Sequence, residues 1–366
     1  MGIQRRVLGW SVALAVALCL SILGSATIGA VRIDLPTVAR ATLNTLVVPS
    51  GVGTRSAELG VRSAQTTVPV PSVSYTQLFD FAVAETDQRI VERIRLPRIA
   101  LAAVVGFALG TAGTVMQGFF RNPMADPSII GVSSGAAVGA VAVIALPIAL
   151  PFGLQTAAFA GALIAAFGVY AIATENGRTP VATLLLAGLA VQAFLGAVIS
   201  YMLLQAGDSL DDAVLWLMGH LHHSTWSRVE VTLPLVLLFF FVLVVYARDL
   251  NVLLLGEEDA NALGIEVEWT KRLLLAGSAV ITAAAVAVSG IIGFVGLIIP
   301  HMMRLVVGPD HRILIPTSAL AGATFLVIAD TVARAGPTEV PVGIVTAAVG
   351  APFFIFLLRN REVYAL

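Results

Sequence analysis

The segment Ile99–Phe119 reads IALAAVVGFALGTAGTVMQGF and contains no charged residue. An α-helix rises about 1.5 Å per residue, so roughly 20 apolar residues cross a hydrocarbon layer about 30 Å thick. The segment has this length, and Arg98 and Arg121 lie on either side of it. It therefore predicts a helix that spans a membrane.

The composition of the whole chain agrees with this prediction. Of 366 residues, 58% are hydrophobic and 12% are charged, and the mean hydropathy is +0.94. So few charges could not cover the surface of a soluble protein, since soluble domains hold about 25% charged residues. We therefore expect an integral membrane protein, which excludes a soluble enzyme and a disordered chain. The net charge of −1 gives no reason to expect a nucleic-acid partner.

Other apolar runs extend the pattern along the chain, and together they predict an all-α integral membrane protein with ten transmembrane helices. Gly296–Val307 is too short to cross upright and is counted as one short span. Val7–Ala30 is longer than the apolar region of a usual signal peptide, so a retained helix is favoured over a cleaved one. The runs besides the first are Val7–Ala30, Ile129–Leu146, Phe152–Thr174, Val181–Leu204, Val231–Tyr246, Leu273–Val288, Gly296–Val307, Ile313–Val332 and Val342–Leu358.

The positively charged residues predict the orientation of the spans. With an inner N-terminus, the short inner segments hold 11 Lys and Arg residues, whereas the short outer loops hold 2, Arg228 and Arg334. The other 8 lie in the long outer segment Val31–Arg98, where such a bias carries little weight. The positive-inside rule thus predicts cytoplasmic N- and C-termini in a multi-pass protein of the cell membrane.

The segment Val47–Ser74 is the one break in composition within a single transmembrane domain that covers residues 1–366. It is rich in Ser, Thr, Pro, Gly and Val and shows no hydrophobic period. These properties predict an exposed, flexible extracytoplasmic insertion. The hydrophobic residues of Tyr75–Arg95 then predict an interfacial helix that leads into the second span.

Catalytic and metal-binding patterns are absent from the sequence. No Gly-x-x-x-x-Gly-Lys-Ser/Thr motif occurs, so energy must come from a gradient or from a partner. His220, His222 and His223 lie close together without nearby cysteines, and a solvated loop is favoured over a metal site there. The single cysteine, Cys19, permits neither a disulfide within the chain nor a cysteine metal site.

Five segments at predicted membrane boundaries carry the most specific signal. In this order and spacing they resemble the permease subunits of type II ABC importers, the iron-siderophore, haem and cobalamin family, over Ile90–Arg361. The five segments are Arg95–Arg98, RLPR; Arg121–Ser128, RNPMADPS; Gly256–Ile265, GEEDANALGI; Ser289–Arg304, SGIIGFVGLIIPHMMR; and Ala329–Arg334, ADTVAR, with Glu339–Gly343, EVPVG.

The resemblance implies a function and a set of partners. It implies a homodimer in the lipid bilayer, with a translocation path on the dimer axis. Two ATPase subunits, which would hold ATP and Mg²⁺, bind on the cytoplasmic side, and a substrate-binding protein binds outside. This chain would then be no enzyme and hold no cofactor or metal. The implied cargo is a metal chelate, and cobalamin or a ferric siderophore is favoured over haem.

The resemblance also implies two contact sites for partners. Arginines on the outer side match family positions that face the binding protein, whereas ordinary interfacial placement is the alternative. These are Arg95, Arg98 and Arg334. A short inner helix matches the segment that couples to the ATPase, and its acidic start suits the helix dipole. Its residues are Gly256, Glu257, Glu258, Asp259, Ala260, Ala262, Leu263 and Gly264.

A gate and a helix break complete the implied features. Val181 and Ala182 match the inner gate but replace hydroxyl residues, so the gate would close by dewetting. Gly290, Gly293, Gly296 and Pro300 predict a helix break, although Ile291 replaces the family's usual proline. Polar residues along the path, for which a packing role is equally open, are Thr179 beside the gate, Gln117, Asn122, Ser133 and Ser134.

Two other classes of membrane protein are alternatives to an import permease. A gradient-driven secondary transporter would also lack a P-loop, but it commonly holds an acidic residue near the middle of the membrane. No Asp or Glu lies in the middle of a predicted long span. An intramembrane enzyme would need paired catalytic residues at membrane depth, and none is visible. The same lack of ligands suits a large chelate rather than a bare cation.

Overall fold

The computed structural model describes residues 3–29, 31–61, 64–146 and 153–359. Most of this part of the chain is helical, with one pair of strands. Ala30, the last residue of the predicted span Val7–Ala30, lies outside it, as do Phe152, the first residue of the predicted span Phe152–Thr174, and the residues after 359. The helices are α1 Ile3–Thr27, α2 Leu35–Asn44, α3 Glu85–Ile90, α4 Leu96–Phe119, α5 Val132–Ala145, α6 Gly153–Ala173, α7 Val181–Leu204, α8 Leu210–Leu217, α9 Trp226–Val245, α10 Ala247–Leu253, α11 Glu257–Ala262, α12 Val267–Ser289, α13 Val295–Val307, α14 His311–Ala333 and α15 Val342–Arg359.

Each predicted span corresponds to one helix of the described chain. Seven helical segments are long and apolar enough to cross a membrane, and three apolar helices are shorter. The predicted short span is α13, as expected, but α5 is also short because a 3₁₀ turn at Pro127–Ile130 replaces its expected beginning. The seven segments are Arg5–Thr27, Glu85–Phe119, Gly153–Ala173, Val181–Leu204, Trp226–Val245, Val267–Ser289 and His311–Ala333, and the shorter helices are Val132–Ala145, Val295–Val307 and Val342–Phe356.

The segment predicted as an irregular insertion contains regular structure. Strands β1 Val47–Val61 and β2 Ala64–Gln77 pair antiparallel, from Val47 opposite Gln77 to Val61 opposite Ala64. Both strands of a two-stranded ribbon are edges, where a proline without an N–H group is tolerated. The prolines in this segment therefore argued against strands in the sequence, although both strands form. The all-α prediction is corrected to a mostly helical fold with one hairpin.

The segment after the hairpin also departs from the prediction. Helix begins at Glu85 rather than near Tyr75, since β2 continues to Gln77. Helix α3 continues through one π-helical turn, Val91–Arg95, directly into α4. The result is one continuous helical segment, Glu85–Phe119, instead of a separate interfacial helix.

Helix α4 packs against α14 at glycines that let the two backbones approach closely. A Cβ atom added to Gly106 would lie 2.2 Å from the carbonyl oxygen of Gly322, and one added to Gly322 would lie 2.3 Å from that of Gly106. One turn further along, a Cβ atom on Gly110 would lie 2.3 Å from the Ser318 oxygen. Small residues permit such contacts between membrane helices. This packing fixes the ends of α4 and α14, which carry the outer charged site.

The predicted break between α12 and α13 is present. Helix α12 ends at Ser289, Gly290 takes a φ of +68°, and α13 begins after Phe294, whose φ is +67°. Pro300 lies inside α13 and not at the break. Lacking an N–H group, Pro300 cannot bond the Gly296 oxygen. That oxygen would lie 1.9 Å from a Cβ atom on Gly113, so the glycine lets α4 pack against it.

Contacts between helix ends in the described chain show which ends lie together, and the grouping agrees with spans that alternate in direction. At one end, Arg6 Nη2 donates to the Val307 oxygen at 2.8 Å, and Arg121 Nη2 donates to the Leu253 oxygen at 2.6 Å. At the other end, Trp226 Nε1 donates to the Glu92 oxygen at 2.9 Å. All these pairs join residues that the sequence predicts to lie on the same side of the membrane, and we name the two ends inner and outer after that prediction.

Candidate functional site

A buried carboxylate at the outer end binds two of the three predicted docking arginines. Arg98 donates from Nη2 to Asp330 Oδ1 at 2.7 Å and from Nε to Oδ1 at 3.0 Å, and Arg334 Nε donates to Oδ2 at 3.1 Å. The Asp330 side chain is 1% exposed. Arg98 also forms an ion pair with Glu339, whose other partner is His222 at 3.1 Å. We call these residues, Arg98, Asp330, Arg334 and Glu339, the outer charge cluster.

The third predicted docking residue, Arg95, lies next to the outer charge cluster but has a different surrounding. Its Nη1 donates to the Ala26 oxygen at 2.5 Å, and its Nη2 to the Val31 oxygen. The residue is 4% exposed, so this guanidinium fastens the end of α1 to the Glu85–Phe119 helix. All three arginines line one open cleft of about 1380 Å³. The geometry brings the three together, and their role in docking stays a prediction.

The three histidines lie beside the outer charge cluster. The ring centroids of His220 and His222 are 5.6 Å apart. Burial, reinforced by His222 and His223, lowers the pKa of His220 to about 4, so this ring is neutral at pH 7. Within the described residues no group of three His, Cys, Asp or Glu side chains is placed to hold a metal ion.

The predicted coupling residues form an exposed turn at the inner end. Helix α11 has Glu257, Glu258 and Asp259 in its first turn, and Leu263 is 63% exposed. Gly256 and Gly264 have φ values of +137° and +83°, which favour glycine. Of the eight predicted residues only Ala260 is fully buried, so it attaches the helix to the core. The others are accessible to a partner.

The predicted gate lies beside this turn. Thr179 is fully buried, and its Oγ1 lies 2.9 Å from Thr174 Oγ1. Helix α7 begins at Val181, and Ala182 is exposed. A cleft of about 590 Å³ is lined by Thr179, Val181 and Ala182 together with Glu257. The structure thus joins the gate and the coupling residues in one cleft, which spacing in the sequence could not show.

The polar residues predicted along the path are used differently from one another. Gln117 is fully buried, donates to the Leu297 oxygen at 2.8 Å and accepts from Arg304 at 3.1 Å. Asn122 accepts from the Met124 N–H at 2.9 Å. These contacts favour the packing alternative for both residues. Ser133 and Ser134 are half-buried on α5.

The FecCD transport family model matches residues 60–360. This chain belongs to the FecCD transport family. The cobalamin import system permease protein BtuC of Halobacterium salinarum is 59% identical over 365 residues, which cover 99% of each chain. The hemin transport system permease protein HmuU of Yersinia pestis is 42% identical over 300 residues, 80% of this chain and 90% of the relative. A solved chain, described as a metal-chelate type ABC transporter in an inward-facing conformation, superposes with a TM-score of 0.75 at 29% identity, covering 95% of this chain and 98% of that one.

Family membership confirms the resemblance that the five motifs indicated. FecCD family chains are multi-pass transport permeases and not enzymes. Three contacts of this FecCD chain were nevertheless not predicted from the sequence: Asp330 as the shared partner of two arginines, Lys271 beside the predicted gate, and Asp310 as the cap of α14. For Lys271 a signal existed, since it is the only lysine in the chain.

Asp310 caps α14 at the inner end of this FecCD chain. Its Oδ1 accepts from the Arg312 N–H at 3.0 Å and from Asn251 Nδ2 at 2.8 Å. The hydrogen bond from the Arg312 side chain is the main reason why the pKa of Asp310 falls from 3.8 to about 2. The carboxylate is therefore fully ionised at neutral pH.

Asp310→Ala is expected to lower the free energy of unfolding by about 1 kcal/mol at pH 7, because an N-cap is lost. A depressed pKa means that the stabilisation is present above pH 3.8 and is lost as the pH falls toward about 2. Thermal unfolding in detergent should therefore show the difference from wild type shrinking over that interval. Asp80→Ala, in an exposed loop, is the control, and equal melting of both variants at pH 7 would contradict the assignment.

Proposed function

We propose that this chain is the membrane permease subunit of an ATP-driven importer that moves cobalamin from an extracytoplasmic binding protein into the cytoplasm. The observation that carries the cargo is the 59% identity to a cobalamin import permease over 99% of both chains. The haem relative is less similar, at 42%. Ferric siderophores and haem are the alternative cargoes of the same proposed function.

The proposed assembly is a homodimer of ten-span subunits with cytoplasmic termini. Two ATPase subunits bind the exposed face of α11. These subunits, and not this chain, hold ATP and Mg²⁺. The arrangement of α11 supports this: its acidic first turn and Leu263 are accessible, whereas Ala260 anchors it. A gate at Thr179, Val181 and Ala182 closes the inner end, and its apolar members seal it by dewetting.

The binding protein is proposed to dock over the outer charge cluster. The cleft beside this cluster is lined by four arginines and two carboxylates, and together with the buried Asp330 they leave one positive charge in excess. The lining charges are Arg32, Arg95, Arg98, Arg334, Asp34 and Glu339. Acidic side chains on the binding protein would complement this excess and set the docking register. Arg98 and Arg334 would contact these acidic side chains while remaining bound to Asp330.

Uptake by cells with and without this chain tests the function. Labelled cobalamin, a labelled ferric hydroxamate and labelled haem are offered side by side. Loss of cobalamin uptake alone is expected when the chain is deleted, and inactivating the partner ATPase should stop uptake as well. Loss of only hydroxamate or only haem uptake would identify that compound, and not cobalamin, as the cargo. Uptake that persists without ATPase activity would favour a gradient-driven transporter instead.

A further inference from the structure

Lys271 stands apart from every other basic residue of this chain. The sequence holds twenty arginines and this single lysine. The Lys271 side chain is 4% exposed and lies in the first turns of α12. Its Nζ donates to the Thr179 carbonyl oxygen at 2.7 Å, to Glu268 Oε1 at 3.0 Å and to Glu257 Oε1 at 3.1 Å.

The three acceptors match the chemistry of an ammonium group. A lysine ammonium has three N–H donors that diverge from one atom, and here each finds one oxygen. An arginine guanidinium is planar, and its donors lie in a fixed fork, so it would not reach these three oxygens from one point. Two carboxylates also offset the desolvation of a nearly buried cation. The site therefore requires lysine in a chain that otherwise uses arginine.

The three oxygens belong to three different parts of the inner end. Glu257 is the first residue of α11, Glu268 lies on α12, and Thr179 is two residues before α7. Thr179 is itself held on its other side by Thr174. The Lys271 Nζ atom thus donates hydrogen bonds both to the predicted coupling helix and to the segment that leads into the predicted gate. Arg178, Glu257 and Glu268 line the clefts on both sides of this contact.

We propose that Lys271 is a positioning residue that makes α11 and the segment Thr179–Ala182 move as one unit. The inference rests on the proposed function, because it assigns Lys271 to the step in which movement of α11 by the ATPase reaches the gate. Without its ammonium group, α11 and the gate would be connected only through the backbone of α12 and neighbouring packing.

A distance measurement tests the proposal without any transport assay. Spin labels are attached to Arg178→Cys and Asn261→Cys, both at exposed positions, in a Cys19→Ser background of the full chain. The distance distribution is expected to be narrow with Lys271 present and clearly broader in Lys271→Met. Lys271→Arg, which keeps the charge but not the geometry, should also be broad. An unchanged narrow distribution in Lys271→Met would overturn the proposal.

The ratio of cargo imported to ATP hydrolysed is the second readout. In the reconstituted complex, Lys271→Met is expected to lower this ratio roughly tenfold, the scale of one charge-assisted hydrogen bond. Glu257→Gln removes the negative charge from one half-exposed acceptor and should lower the ratio in the same direction, whereas Glu266→Gln, which changes an exposed acid outside the contact, should not. The Glu257→Gln variant keeps the test decisive if Lys271→Met does not fold.

The two levels of failure are distinguishable. If wild-type chain neither binds an ATPase nor imports cargo, the proposed function itself is wrong. If wild type imports cargo and the ratio is unchanged in both Lys271→Met and Glu257→Gln, only the role of Lys271 is wrong.

Discussion

Asp330→Ala is expected to lower the free energy of unfolding by about 3–5 kcal/mol, the usual cost of removing one partner from a buried ion pair. Asp330 is fully buried and shared by Arg98 and Arg334, whose side chains are 11% and 8% exposed. Without the carboxylate, two guanidinium groups would face each other with little water to screen them. Unfolding of the purified protein in a denaturing detergent titration measures the loss.

Glu339→Gln is the matched control for this loss. It also removes a carboxylate partner of Arg98, but the Glu339 side chain is 36% exposed, so we expect a change of about 0–1 kcal/mol. Comparable midpoints for the two variants would contradict the assigned role of Asp330. The variant with Arg98→Met, Asp330→Leu and Arg334→Met together should recover much of the stability, since apolar replacement of a whole buried ionic group is tolerated. If this triple variant is stable but still binds the binding protein weakly, the weak binding is due to loss of docking contacts and not to unfolding.

Hydrophobic runs made the helices predictable, because a membrane span leaves a continuous apolar signal along the chain. Residues Val181–Leu204 were predicted as a span and form α7 without change. The same signal overestimated α5, since Ile129 and Ile130 are as apolar as the helix but belong to the 3₁₀ turn that Asp126 caps. It also could not reveal the hairpin, whose strands contain prolines and carry no period.

The candidate site residues were predictable only where they belong to a sequence motif. Arg95, Arg98 and Arg334 were placed on one side by topology, and they do line one cleft. Their partners were not predictable, because Arg98 and Asp330 are 232 positions apart and meet only through the packing of α4 on α14. Lys271 likewise depends on Thr179, 92 positions away. Such pairs follow from helix packing, which local sequence patterns do not encode.

Gly264→Trp is expected to prevent assembly with the ATPase while the permease still folds. Gly264 closes α11 with a φ of +83°, next to the Ile265 N–H that donates to the Ala260 oxygen at 3.0 Å. A Cβ atom there would have no heavy atom within 4 Å, so the indole would extend into open space beside Leu263. That space is where the ATPase is proposed to bind, and a bulky side chain there should lower affinity by about a hundredfold or more.

Backbone strain must be separated from bulk, and Gly264→Ala does so. Any residue with a Cβ atom pays about 1 kcal/mol for this left-handed conformation, so alanine and tryptophan share that cost. Only tryptophan fills the space in front of α11. Pull-down of the ATPase subunit and cargo uptake should therefore be near wild type for Gly264→Ala and lost for Gly264→Trp at equal expression. Uptake retained by Gly264→Trp would show that the ATPase binds elsewhere, whereas equal loss in both variants would assign the effect to the shape of the turn, because alanine leaves the surface of α11 open.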